Sequence, residues 1–181
     1  MKIKYNAPVI LTYALISLGV LVFFSHALSV TYFSSPARIS FSNPYFYLKS
    51  IAYIAGHGNW THLIGNLMLI LLVGPLLEEK YGSEKVFEMI LVTAVSTAWL
   101  NAFLFSTSLM GGSGIAFMLI LLSSFSNISA KEIPLTFVII AVLFTGSEVS
   151  AILKPDRISQ FSHLAGGLAG AGYGFLRSGR R

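Results

Sequence analysis

Six apolar runs, separated by short polar stretches and by glycine and proline, account for most of the 181-residue chain. Charged residues make up only 10% of it, whereas a soluble domain carries about 25%. So little charge is explained if much of the surface faces lipid, and a helix needs roughly 20 apolar residues to cross a bilayer. We therefore predict an all-α fold: one domain, residues 1–181, forming a polytopic membrane bundle of six transmembrane helices.

The predicted spans end at turn residues or charged groups. Their approximate limits are Val9–Leu28, Ile51–Leu77, Val86–Phe105, Ser113–Phe125, Pro134–Phe144 and Phe161–Leu176. The fourth and fifth runs are short, so their length leaves counts of four or five spans open. Lys and Arg concentrate in cytoplasmic loops. With six spans and the N-terminus inside, eight of the 12 basic residues lie inside and four outside, so we expect both termini in the cytoplasm.

Charge and residue types exclude several other classes. The net charge of +5 does not indicate nucleic acid binding, because the basic residues lie at the ends of apolar runs. The absence of cysteine excludes disulfide and thiol chemistry. A zinc site would need three histidines to converge without a thiol or a nearby carboxylate, so we expect no metal and no cofactor.

Polar side chains fall at one depth of the predicted bundle. The second, fourth and sixth spans all enter from the outside, and their first halves carry His57, His62, Asn66, Ser113 and His163. His62 and Asn66 are four residues apart, which places them on one face of a helix. An interhelical hydrogen bond explains a single buried histidine. Three helices delivering such groups to one level favour a functional site, because polar groups in a bilayer are costly.

Glycines accompany both the serine and the last histidine. Gly111 and Gly114 flank Ser113, allowing a tight turn into a helix whose first N–H groups can bind an anion. That suits a nucleophile whose intermediate carries an oxyanion. A second set recurs every four residues and allows close helix packing: Gly166, Gly170 and Gly174. If the fourth span packs on this stripe, His163 reaches Ser113; packing alone explains either glycine pattern equally well.

Together these motifs resemble the rhomboid family of intramembrane serine proteases. The matching segments are His57-x4-His62-x3-Asn66, Glu78 with Gly82, Gly111-x-Ser113-Gly114 and Ser162-His163-x2-Gly166. The resemblance implies a serine endopeptidase that cleaves single-span membrane proteins with a Ser113–His163 dyad. It further implies that His62, Asn66 and the Ser113 backbone N–H bind the oxyanion, with His57 as a supporting residue.

The resemblance also assigns structural roles and has departures. Glu78 and Gly82 would close the cytoplasmic end, residues 145–160 would cap the site, and the fifth span would be a side gate. Phe117 stands where the family often has a tyrosine against the histidine, so the ring is kept and the hydroxyl is lost. Leu48-Lys49 occupies the place of a Trp-Arg pair in the first loop.

Two other functions remain as alternatives. A catalytically inactive rhomboid-like protein would bind membrane helices without cutting them, but such relatives usually lack the serine or the histidine. A transporter with a histidine proton relay would have charged residues deep in its spans and internal repeats, and the sequence has neither. We expect membrane protein substrates, a prokaryotic plasma membrane location and a site open to the exterior; the oligomeric state stays open.

Overall fold

The computed structural model describes residues 6–127 and 157–178, together with the single positions Leu135, Ile139 and Val142. The two continuous ranges form α-helices and contain no strand, which confirms the all-α class. The helices are α1 (Pro8–Phe23), α2 (His26–Tyr32), α3 (Pro44–Ala52), α4 (Trp60–Tyr81), α5 (Ser83–Leu104), α6 (Ser113–Asn127) and α7 (Arg157–Ser178). A 3₁₀ turn, Tyr53–Ala55, follows α3.

Within the described ranges, α4 and α5 are long and apolar enough to cross a membrane. The helices α1 and α6 are apolar but contribute shorter runs, Pro8–Phe23 and Ser113–Ser123. The third, fourth and sixth predicted spans agree with α5, α6 and α7 to within a few residues. The fifth predicted span falls mostly outside the described residues, so the count of six spans stays a prediction.

The first predicted span is wrong at its C-terminal end, because α1 stops at Phe23 rather than at Leu28. The backbone is extended at Phe24 and Ser25, and a separate helix α2 begins at His26. The Ser25 side chain accepts a hydrogen bond from the Leu28 N–H (3.4 Å) and so caps α2. A serine cap competes with continuation of the preceding helix, and hydropathy does not register it.

The second predicted span is wrong at its N-terminal end. Helix α3 ends at Ala52, and α4 begins only at Trp60, where the Asn59 side chain accepts a hydrogen bond from the His62 N–H (2.8 Å). His57 therefore lies in the turn ahead of α4, as its flanking glycines indicate. At the other end Gly82, with a φ of +87°, ends α4 and lets α5 begin at the next residue.

A buried carboxylate joins α1 to α4. Glu78 is 3% exposed and accepts hydrogen bonds from the backbone N–H groups of Val9 (2.9 Å) and Ile10 (3.0 Å). The first N–H groups of a helix lack partners within that helix and carry partial positive charge. Gly74, one turn earlier on α4, leaves room for Ile10, since a Cβ there would lie 2.7 Å from its Cδ1.

Aromatic side chains pack α3, which follows the first loop, onto α5. The Trp99 ring of α5 lies 5.7 Å from Phe46 and 6.4 Å from Tyr47 of α3, between ring centres. Its indole N–H donates to the Ser50 Oγ (3.1 Å). Because a tryptophan N–H usually finds a partner when buried, this bond helps to hold α3 against α5.

Helix α7 packs on α5 and α6 through its glycines. A side chain at Gly166 or Gly170 would overlap Thr97 or Thr93 of α5, and a Cβ at Gly174 would lie 2.6 Å from Met89 Cε. The stripe therefore faces α5, and at Gly170 and Gly174 it also meets α6, where Met118 Cγ and Leu122 Cδ2 lie 3.1 Å from the two Cβ positions. The partner of the stripe, which the sequence left open, is thus both helices. Gly167, which lies outside the four-residue repeat, packs on α6 as well.

Candidate active site

A turn of two glycines leads into Ser113, the first residue of α6. Gly111 has a φ of +125°, a conformation that L side chains rarely adopt. Its N–H donates to the Tyr53 carbonyl (3.0 Å), and a side chain on Gly112 would overlap the Tyr13 hydroxyl. Ser113 itself is buried. The backbone around the serine is thus held from two sides and has no room for larger residues.

His62 and Asn66 of α4 both approach this glycine turn. A Cβ built on Gly111 would lie 2.7 Å from Cε1 and Nε2 of His62 and 3.5 Å from Nδ2 of Asn66. Asn66 is 5% exposed, so its amide lies inside the bundle. The four-residue spacing puts both side chains on one face, and the fold points that face at the backbone two residues before Ser113.

His57 lies behind Asn66 and contacts it directly. The Nδ1 atom of His57 is 3.2 Å from the Ala55 carbonyl oxygen, and its Nε2 is 3.2 Å from Nδ2 of Asn66. The ring of His62 stands at 65° to that of His57, with 5.0 Å between their centres. Burial of His57, which lies ahead of α4, and the neighbouring His62 lower the pKa of His57 to about 4. The His57 imidazole is therefore neutral at physiological pH.

The backbone of α7 approaches α6 beside the serine. A Cβ on Gly167 would lie 3.4 Å from the Gly114 carbonyl oxygen and 2.5 Å from Cδ1 of Phe117. His163 lies four residues, about one turn, before Gly167 in α7. The side chain of His163 lies outside those described, so its contact with the Ser113 hydroxyl stays a prediction.

Two tyrosines that belong to no sequence motif brace the glycine turn. The hydroxyl of Tyr13 in α1 donates to the Ile54 carbonyl (2.7 Å), and that of Tyr53 donates to the Ala94 carbonyl (3.2 Å). A buried hydroxyl is costly unless it is hydrogen-bonded. Tyr13, within an apolar run, therefore carried a usable signal that some polar partner had to meet it.

Contacts between loops hold the same turn from its outer side. The Leu109 N–H donates to the Ser35 Oγ (2.8 Å), and the Ser35 N–H donates to the Leu109 carbonyl (2.8 Å). A Cβ on Gly56 would meet the Phe33 carbonyl oxygen and would lie 2.7 Å from Met110 Cγ. The turn around His57 and the turn around Gly111 are therefore packed against each other. No local sequence pattern predicts these long-range contacts.

The fold and the site together define an apolar helical bundle in which polar side chains of α4 and of the turn before it meet the start of α6, and the glycine-rich α7 packs beside that start. A family model described as the Rhomboid domain matches residues 45–180, which is most of the chain. The chain therefore belongs to the rhomboid family, whose members are usually intramembrane serine proteases. Helix α1 precedes the matched range. A comparison with curated proteins finds no match.

Proposed function

We propose that the protein is an intramembrane serine endopeptidase in which Ser113 is the nucleophile and His163 the general base. The observation that carries this proposal is the convergence of His62 and Asn66 on Gly111, at the turn that delivers Ser113. Family membership supports it, because rhomboid proteins are usually serine proteases. A purely structural glycine turn would not need two polar side chains directed at its backbone.

The oxyanion would be stabilised by donors already aimed at the turn. Attack by the Ser113 hydroxyl places a negative charge on the former carbonyl oxygen of the substrate. The amide of Asn66, the imidazole of His62 and the backbone N–H of Ser113 are the candidate donors, and losing one such donor typically costs about 10²–10³ in rate. Donors at a helix start are favourable for this task because of their partial positive charge.

His163 would act as general base and then as general acid. It accepts the Ser113 proton as the acyl-enzyme forms and passes that proton to the leaving amine. It next takes a proton from the water that hydrolyses the acyl-enzyme, which regenerates the Ser113 hydroxyl. A reference pKa of about 6.5 suits both steps. The close packing of Gly167 on Gly114 and Phe117 supports this pairing, because it brings the turn of α7 that carries residue 163 to the start of α6.

The site would open to the outer side of a prokaryotic plasma membrane. In the six-span topology with both termini in the cytoplasm, α4, α6 and α7 all begin at the outer side. Substrates would be single-span helices that unwind locally, because a helix keeps its backbone groups bonded internally. The exposed positions Leu135, Ile139 and Val142 are spaced along one helix face, which supports the fifth span as the side on which a substrate helix docks.

A fluorophosphonate probe tests the proposal on the purified protein in detergent. We expect covalent labelling at Ser113, located by mass spectrometry, and cleavage of a single-span test substrate in proteoliposomes. Ser113→Ala and His163→Ala should abolish both signals. The matched controls are Ser108→Ala, an exposed serine of the same loop, and His26→Ala, an exposed histidine.

The results separate the candidate functions. Equal labelling of Ser113→Ala and wild type would contradict the assignment of the nucleophile. A folded wild type that binds the substrate helix but neither reacts with the probe nor cuts would instead establish the inactive helix-binding alternative.

A further inference from the structure

We propose that His57 is a positioning residue that fixes the amide orientation of Asn66, so that the Nδ2 of Asn66 rather than its Oδ1 faces the turn before Ser113. This inference rests on the proposed function and goes beyond it. It assigns a chemical task to a histidine that has no direct part in the proposed mechanism.

The donor and acceptor roles follow from the Ala55 carbonyl. That oxygen can only accept, so the His57 Nδ1, 3.2 Å away, must carry the proton. The fold also keeps the imidazole neutral, so Nε2 has a lone pair and no proton. Nε2 therefore accepts a hydrogen bond, and the atom of Asn66 that meets it at 3.2 Å must be the donor Nδ2.

This chain of bonds decides which end of the Asn66 amide faces Gly111. The two ends of an amide have nearly the same shape, so packing alone does not select one. A flipped amide would set Oδ1 against the lone pair of the His57 Nε2, which is repulsive. In the unflipped orientation Nδ2 lies 3.5 Å from the Cβ position of Gly111, with a second N–H available for an oxyanion. With the flip, an acceptor oxygen would face the developing negative charge instead.

The His57 ring is itself held in one orientation, so it can orient the Asn66 amide. It is 1% exposed, and the preceding Gly56 is packed against Phe33 and Met110. On the other side, the edge-on ring of His62 limits rotation of the imidazole. Asn59 caps α4 just after His57, so the turn and the helix that carries Asn66 are joined in one geometry.

Two substitutions of His57 separate its bonds. Asparagine carries its amide nitrogen about where Nδ1 lies, so His57→Asn keeps the bond to Ala55 and loses the acceptor for Asn66. Glutamine carries its amide oxygen about where Nε2 lies, so His57→Gln keeps an acceptor for Asn66. We expect His57→Asn to lower kcat about tenfold or more, part of the 10²–10³ that a lost donor costs, with KM changed little. His57→Gln should recover most of that loss. Because asparagine is also smaller than glutamine, thermal unfolding must show that the two variants are equally stable before the difference in kcat is assigned to the hydrogen bond.

A double-mutant cycle shows whether His57 acts through Asn66. Asn66→Ala removes the amide that His57 orients, so His57→Asn should cause little further loss of kcat in that background. Independent effects would multiply instead, because sites that do not interact are additive in free energy. Multiplying effects, or a His57→Asn enzyme with wild-type kcat, would overturn the proposal. Thermal unfolding of each variant checks that the fold is intact.

A measurement without catalysis distinguishes failure of this inference from failure of the proposed function. The ¹⁵N spectrum of imidazole-labelled protein should show His57 protonated at Nδ1, and the His57 signals are assigned by their absence from the spectrum of His57→Gln. Asn66→Ala should shift the resonance of the His57 Nε2. Protonation at Nε2 would overturn the inference even in an active enzyme. Absence of any Ser113-dependent cleavage would overturn the proposed function and the catalytic role of His57 with it.

Discussion

Replacing Glu78 with glutamine should lower the free energy of unfolding by about 3 kcal/mol, although the side chains have nearly the same shape. The buried carboxylate accepts two backbone N–H groups, at 2.9 and 3.0 Å. A hydrogen bond to a charged group contributes about 1.5–3 kcal/mol, and a buried unpaired donor costs about 1–3 kcal/mol. The glutamine oxygen can accept from one N–H, but its NH₂ group then faces the other. One charge-assisted bond is lost, one is weakened, and one N–H of α1 is left without an acceptor.

Chemical unfolding in detergent micelles, followed by circular dichroism, measures this loss. Glu79→Gln is the matched control, because Glu79 is the neighbouring residue and is exposed. We expect Glu79→Gln to stay within about 0.5 kcal/mol of wild type, as surface substitutions usually do. Glu78→Ala should cost at least as much as Glu78→Gln, since both N–H groups then lose their acceptor. Equal stability of Glu78→Gln and Glu79→Gln would refute the idea that this carboxylate docks α1.

Two further predictions concern α7 and the His57 turn. Gly170→Val should destabilise the protein by about 1–3 kcal/mol, because its Cβ would overlap Thr93. Gly172→Val is the control, since its side chain meets open space and has the same cost to the backbone. Equal losses of stability in thermal unfolding would contradict the packing of the stripe on α5. The free energy of unfolding should fall as pH drops from 6.5 towards 4, because the folded pKa of His57 is about 4 against an ordinary 6.5, so the unfolded chain takes up the proton first. His57→Gln should flatten this acid dependence, and parallel stability curves for the two proteins would count against it.

The contact between α3 and α5 depends on residues far apart in the sequence. The sequence shows only that Leu48-Lys49 replaces an expected Trp-Arg pair. In the structure Trp99 of α5 packs on Phe46 of α3 and donates to Ser50 of the same helix. Because the partner lies about fifty residues further along the chain, hydropathy and local motifs could not predict it.

Local sequence was sufficient for the elements that depend on neighbouring residues alone. The bounds of α5 and α6 follow from apolar runs that end at glycine or polar residues, and the glycines before Ser113 correctly marked a helix start. The spacing of His62 and Asn66 likewise determined that they share a face. Each of these features depends on backbone conformation and on the 3.6-residue period, both of which act over a few positions.

Only the tertiary structure decided which faces meet. Residue 56 must be a glycine because Phe33 and Met110 occupy the space where a side chain would lie. The glycine stripe of α7 packs on Thr93 and Thr97 of α5 and on Met118 and Leu122 of α6. Smooth helix faces pack on any complementary partner, so the choice among helices depends on contacts summed over the whole bundle. A window along the chain contains none of those contacts.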